Sequence, residues 1–140
     1  MCGFLTAFST QTLAAEKLRC GLAAMVNRGP DGVGEYVGPN CYLGHRRLAI
    51  IDLDERAKQP MVSDCGRYQI VFNGEIYNFQ SVKEQLQRDG VAFKTTSDTE
   101  VILKGFLKWG ADVLPKLHGM FAFVIWDSQE NRAFAARDPY

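Results

Sequence analysis

Residues 119–127 read GMFAFVIWD, and the run 120–126 within it is almost unbroken in its apolar character. It has the length of a strand, and a strand apolar on successive residues is apolar on both pleat faces and is buried on both. Residues 127–131 then turn the chain, and 132–137 return as a partner strand. The core sheet is anchored here, and the other segments are expected to cover it.

Working back along the chain, Ser97, Asp98, Thr99 and Glu100 have the spacing of a capping box. They open a helix over 98–109 with Ile102, Phe106 and Trp109 on its face and Gly110 at its end. An aspartate in a first helical turn is favoured by the helix dipole without any further role. A second helix, over 78–89, carries the stripe Phe79, Val82 and Leu86, with Ser81 and Glu84 at capping-box spacing and Gly90 as its stop. Residues 68–72 form a strand that ends in Asn73, Gly74 and Glu75. Asparagine before glycine signals a tight hairpin turn; the alternative is a backbone that approaches a ligand.

Residues 52–66 lack any period and read as a loop long enough to have a role over a site. Residues 35–37 and 41–48 read as a hairpin about Gly38, Pro39 and Asn40. Two adjacent arginines, Arg46 and Arg47, stand where its second strand finishes. Both are surface charges, or one points inward if the strand is covered on both faces. RGPD at 28–31 is a turn that ends a helix over 12–26, whose stripe is Ala14, Leu18, Leu22 and Val26 and whose N-cap candidates lie within 9–12. Residues 3–8 read as a short buried strand. The sum is an α+β fold: a four-layer αββα sandwich of two mainly antiparallel sheets with helices outside.

At 140 residues, 46% hydrophobic and 23% charged, the chain has the size and composition of one globular domain. Sixteen basic residues balance sixteen acidic ones without a basic run, which argues against nucleic acid or an anionic membrane as a partner. No apolar stretch approaches the roughly 20 residues of a membrane span, and the N-terminus lacks the pattern of a signal peptide. A cytoplasmic location is expected. Cys2, Cys20, Cys41 and Cys65 form no CxxC pair, and the histidines are His45 and His118. That is neither a zinc pattern nor a disulfide framework, so the cysteines are read as reduced and three of them as structural. No GxGxxG or GxxxxGK[ST] stretch occurs to cradle a nucleotide phosphate.

Cys2 stands behind Met1 and ahead of Gly3. If the methionine is removed, the cysteine becomes the N-terminal residue and carries nucleophile and base together: a free α-amine titrates near ~7.7–8.0 and can take the thiol proton directly or through a water. While Met1 stays attached, that amine is an amide and the chain should be inactive.

Cys2-Gly3, RGPD at 28–31, GHRRLAIIDL at 44–53, Gln59-Pro60, NGEIYN at 73–78, SDTEVIL at 97–103, GMFAFVIWD at 119–127 and RDPY at 137–140 follow in one order. In that order the chain resembles, from Cys2 to Tyr140, the glutaminase domain of glutamine-hydrolysing asparagine synthetases, a class II glutamine amidotransferase with an N-terminal nucleophile. The resemblance implies the N-terminal-nucleophile hydrolase version of the αββα fold and hydrolysis of L-glutamine to glutamate and ammonia. It implies Cys2 as nucleophile through a thioester, and Asn73 (side-chain NH₂) with Gly74 (backbone N–H) as the oxyanion hole. Arg47 matches the grip on the substrate α-carboxylate, and Glu75 and Asp98 match the acids that hold its α-ammonium. Arg28 and Asp31 would shape the wall beside Cys2 without a chemical step.

The family's glutaminase domain continues beyond RDPY and is followed by an ATP-using synthetase domain, so residues 1–140 are expected to be a C-terminally incomplete glutaminase domain. No cofactor is expected in it; ATP and magnesium belong to the synthetase domain, which would receive the ammonia. Pairing with another chain, as in a homo-oligomer, is left open. Two other readings stand beside this one: a catalytically silent structural or glutamine-sensing module, and an amidotransferase serving a different acceptor.

Overall fold

A computed structural model of the chain describes residues 2–48 and 57–139. Strands β1 (Gly3–Phe8), β2 (Gly32–Val37) and β3 (Cys41–Arg47) form one sheet in the order β1-β3-β2. Strands β4 (Met61–Val62), β5 (Tyr68–Ile76), β6 (Gly119–Asp127) and β7 (Arg132–Arg137) form the other in sequence order, and all pairings are antiparallel. Helix α1 (Ala15–Ala24) covers the first sheet; α2 (Phe79–Arg88) and α3 (Asp98–Trp109) cover the second, followed by a 3-10 segment, Gly110–Lys116.

β6 occupies the position its sequence implies. Phe121, Phe123 and Ile125 point to the helical side and pack with Ile102, Leu103 and Leu117, while Val124 and Trp126 point between the sheets and meet Cys41, Leu43 and Val71. Each large side chain so buried contributes about 1.5–3 kcal/mol. α2 closes on α3 through Val82, Leu86 and Val101. The four layers α1, β1-β3-β2, β4-β5-β6-β7 and α2/α3 are the predicted αββα sandwich.

Several local expectations are corrected. Asn73-Gly74 makes no hairpin turn: β5 runs through it to Ile76, with Asn73 opposite Ala122 and Gly74 opposite Phe121. Gly74 has φ +145°, and a Cβ there would overlap the Met120 carbonyl oxygen. The glycine therefore serves a close approach of β5 to β6.

α1 begins at Ala15 behind Ala14, whose methyl side chain cannot cap, and Ser9, one of the expected candidates, lies upstream with its Oγ accepting the Gln11 N–H at 3.0 Å. Of its predicted stripe only Leu22 is fully buried. In α2 the cap position is Asn78 and Ser81 lies inside the helix; Asn78 uses its amide to bind Lys116 O and the His118 N–H. Ser97 caps α3 by accepting the Thr99 N–H at 3.0 Å, but Glu100 turns away from the reciprocal bond and accepts the N–H groups of Lys94 and Thr95. β1 is an edge strand and mostly half-buried, not buried. Cys41 is buried, whereas Cys20 and Cys65 are exposed and take no part in the core; the four thiols are free. Residues 52–56 of the predicted loop lie outside the described residues, and its described end contains β4. Among the described residues no helix is long and apolar enough to cross a membrane.

Candidate active site

Four separated segments end at one place. Gly3 pairs with Arg46, so Cys2, one residue before β1, comes up beside Arg47 at the end of β3. The other sheet supplies Asn73, Gly74 and Glu75 from the end of β5, and the first turn of α3 supplies Asp98. All six line one cavity of about 330 Å³.

The β3 alternation settles which arginine points inward. Cys41, Leu43, His45 and Arg47 share the face toward β5, whereas Arg46 points to α1 and donates to Leu22 O at 3.2 Å. Cys2 Sγ lies 3.2 Å from the Leu48 nitrogen, whose N–H donates to it. The RGPD turn packs behind this corner: Arg28 Nε donates to Cys2 O at 3.4 Å and the Asp31 N–H to Arg47 O at 2.9 Å. A Cβ at Gly29 would overlap the backbone of Arg46.

Asp98 is 8% exposed and accepts the Ile76 N–H at 3.2 Å through Oδ2. Burial raises its carboxyl above the ordinary value; bonds from the Ile76 and Thr99 N–H groups oppose the shift, and the charge of Glu75 adds to it. Two acids so placed favour a cation between them. Asn73 Oδ1 is buried with no hydrogen-bond partner among the described residues, a cost that a bound donor would remove.

Sequence reasoning assigned no role to His45, Gln59 and Thr99, which also line the cavity. His45 is 1% exposed with Nε2 3.2 Å from Phe72 O. Burial pushes its pKa down to about 4, against the bond to Phe72 O and with the help of the Arg47 charge. A larger cavity, about 550 Å³, lies against β4 and α3 and holds none of the predicted residues. Its lysines are paired: Lys94 and Lys104 both bind Asp64, at 2.5 and 2.9 Å. The smaller cavity is the candidate, since a thiol, a guanidinium and two carboxylates converge in it. A free amino acid, with one carboxylate and one ammonium group, presents the complementary charges.

The family profile described as "Glutamine amidotransferase domain" matches residues 1–140. Among curated proteins, the chain is 39% identical over 145 residues to asparagine synthetase [glutamine-hydrolyzing] 1 of Bacillus subtilis, covering 100% of this chain and 23% of that protein. It is 37% identical to asparagine synthetase B [glutamine-hydrolyzing] of Escherichia coli K12, covering 99% of this chain and 25% of that protein. The chain thus spans about a quarter of the length of these relatives. Among solved structures, glutamine phosphoribosylpyrophosphate amidotransferase from B. subtilis superposes with a TM-score of 0.80 at 22% identity, over 98% of this chain and 37% of that one. That likeness shows the fold.

Proposed function

Because this chain belongs to the glutamine amidotransferase domain family, we propose that its pocket hydrolyses L-glutamine to glutamate and ammonia through a thioester on Cys2. The observation that carries the reading is the convergence of Cys2, Arg47, Asn73, Gly74, Glu75 and Asp98 on one cavity.

Arg47 takes the substrate α-carboxylate with its two-pronged guanidinium, and Glu75 and Asp98 take the α-ammonium. The side-chain amide then points to Cys2. The freed α-amine accepts the thiol proton, Sγ adds to the amide carbon, and the oxygen becomes an oxyanion held by Asn73 Nδ2 and the Gly74 N–H. Each such donor lowers the barrier by about 2.7–4 kcal/mol. Collapse expels ammonia, which takes the proton from the α-ammonium of Cys2 and leaves the thioester. Water, activated by the same amine, adds to the thioester, and its collapse releases glutamate and restores the thiol. No cofactor enters these steps.

The proposal extends to the rest of the protein. Residues 1–140 act as the glutaminase part, in the cytoplasm, and the ammonia passes to an ATP- and magnesium-using synthetase part that makes asparagine. The relatives' names, asparagine synthetases described as glutamine-hydrolysing, support the coupling of glutamine hydrolysis to asparagine formation.

The test is a glutaminase assay on two forms of the chain. A form beginning at Cys2 is expected to release glutamate and ammonia in equal amounts, and a form keeping Met1 to release none. Equal turnover by both forms would refute the N-terminal amine as base.

A further inference from the structure

Phe72, the residue before Asn73, has its backbone held by two side chains. β4 is only two residues long and pairs Met61 with Ile70. Two residues further along the antiparallel register, Gln59 faces Phe72, and its Oε1 accepts the Phe72 N–H at 2.5 Å. A side-chain amide so makes the ladder bond that the short strand does not reach. From the other sheet His45 meets Phe72 O at 3.2 Å through Nε2. A carbonyl only accepts, so this ring nitrogen carries the proton.

Both side chains also belong to substrate-facing segments. His45 precedes Arg47 by two residues on one face of β3. Gln59 Nε2 donates to Thr99 Oγ1 at 3.3 Å, next to Asp98. Gly34 sits opposite His45 on β2, and a Cβ there would overlap the Gln59 carbonyl oxygen. Glycine at this position leaves the room that Gln59 occupies.

We propose that His45 and Gln59 are positioning residues that clamp the two peptides flanking the Phe72 Cα and thereby aim the Asn73 side chain and the Gly74 N–H at the developing oxyanion; this rests on the glutaminase reading of the pocket. The clamp matters because a misplacement of about 1 Å at reacting groups costs up to about 100-fold in rate. With its pKa near 4, His45 is neutral at neutral pH and adds no charge beside Arg47.

The test uses the chain beginning at Cys2. In Gln59→Leu and in His45→Leu, kcat falls about 10- to 100-fold while KM for glutamine changes less than about threefold. His45→Gln, which keeps an N–H donor at similar reach, recovers most of kcat. The double Leu variant loses little more than the worse single one, because both hold the backbone of one residue, Phe72. Unchanged kcat in both Leu variants, or a loss confined to KM, overturns the proposal. Hydrogen exchange gives a readout that does not need turnover: the Phe72 N–H exchanges faster in Gln59→Leu than in the parent, and unchanged protection overturns the clamp. A parent without glutaminase activity whose Phe72 N–H is still released by Gln59→Leu would refute the glutaminase reading and leave the clamp standing.

Discussion

Asp98 Oδ2 accepts the Ile76 N–H at 3.2 Å, so the first turn of α3 is tied directly to the end of β5. This bond keeps a buried carboxylate next to Glu75 although burial and the neighbouring charge raise its pKa. For a group with a raised carboxyl pKa, the native state binds more protons than the unfolded one, and stability falls as pH rises from the ordinary carboxylate value through the raised one. Asp98→Asn keeps an acceptor for Ile76 and removes the charge. Its Tm at pH 7 is therefore expected to equal or exceed that of the parent, with a KM for glutamine raised about tenfold or more, equivalent to about 1.4 kcal/mol. Thermal melts and steady-state kinetics on one preparation check both.

Arg47 stands on the cavity face of β3, beside Cys2. Arg47→Lys keeps the charge and loses the planar pair of donors. KM for glutamine should rise about tenfold with kcat within about threefold. An unchanged KM would place the carboxylate elsewhere.

Gly74→Ala combines two penalties, a φ of +145° and an overlap of the new Cβ with Met120 O. Loss of at least about 2 kcal/mol of stability is expected, with activity reduced at least tenfold in the folded fraction. Denaturant melts followed by an activity assay measure both. Gly90→Ala is the control: its φ of +85° meets no neighbour within 4 Å, so it costs stability through strain alone and leaves the pocket unchanged.

The β6–β7 turn is held by Asp127, which takes Arg67 through two bonds of 2.7 and 2.5 Å and accepts the N–H groups of Gln129 and Glu130. Arg67, first, and these N–H groups push the Asp127 pKa down to about 2. A depressed carboxyl contributes stability above its unfolded value, near 3.8, which is lost as pH falls toward 2. Asp127→Asn is therefore expected to destabilise at pH 7 by about 1–2 kcal/mol and to differ little from the parent at pH 2. Denaturation midpoints across that range test it.

The layers were legible where the sequence leaves no choice. β6 is apolar on both faces, and Phe123 and Trp126 take the opposite sides that pleating requires. The six site residues were named through the family resemblance, and the fold brings them to one cavity. Misreadings came where a local preference competes with pairing at a distance. Asn73-Gly74 favours a turn as a dipeptide, but seven neighbouring register pairs with β6 keep it extended. Ser9 was a plausible cap for α1 and instead closes its own turn at Gln11. His45 and Gln59 lie in motifs that carry the resemblance but were assigned no role, because the Phe72 groups they bind lie 27 and 13 residues away in the chain.

The central claim is that Cys2 is an N-terminal nucleophile in an assembled glutamine site. The most direct measurement is the intact mass of the purified protein before and after brief exposure to a diazo-ketone analogue of glutamine, with peptide mapping of any adduct. The account predicts a chain lacking methionine that gains one adduct, on Cys2, and loses this labelling when excess glutamine is present. A methionine-free, folded chain that gains no adduct, or gains it at the exposed Cys20 or Cys65 regardless of glutamine, would contradict it.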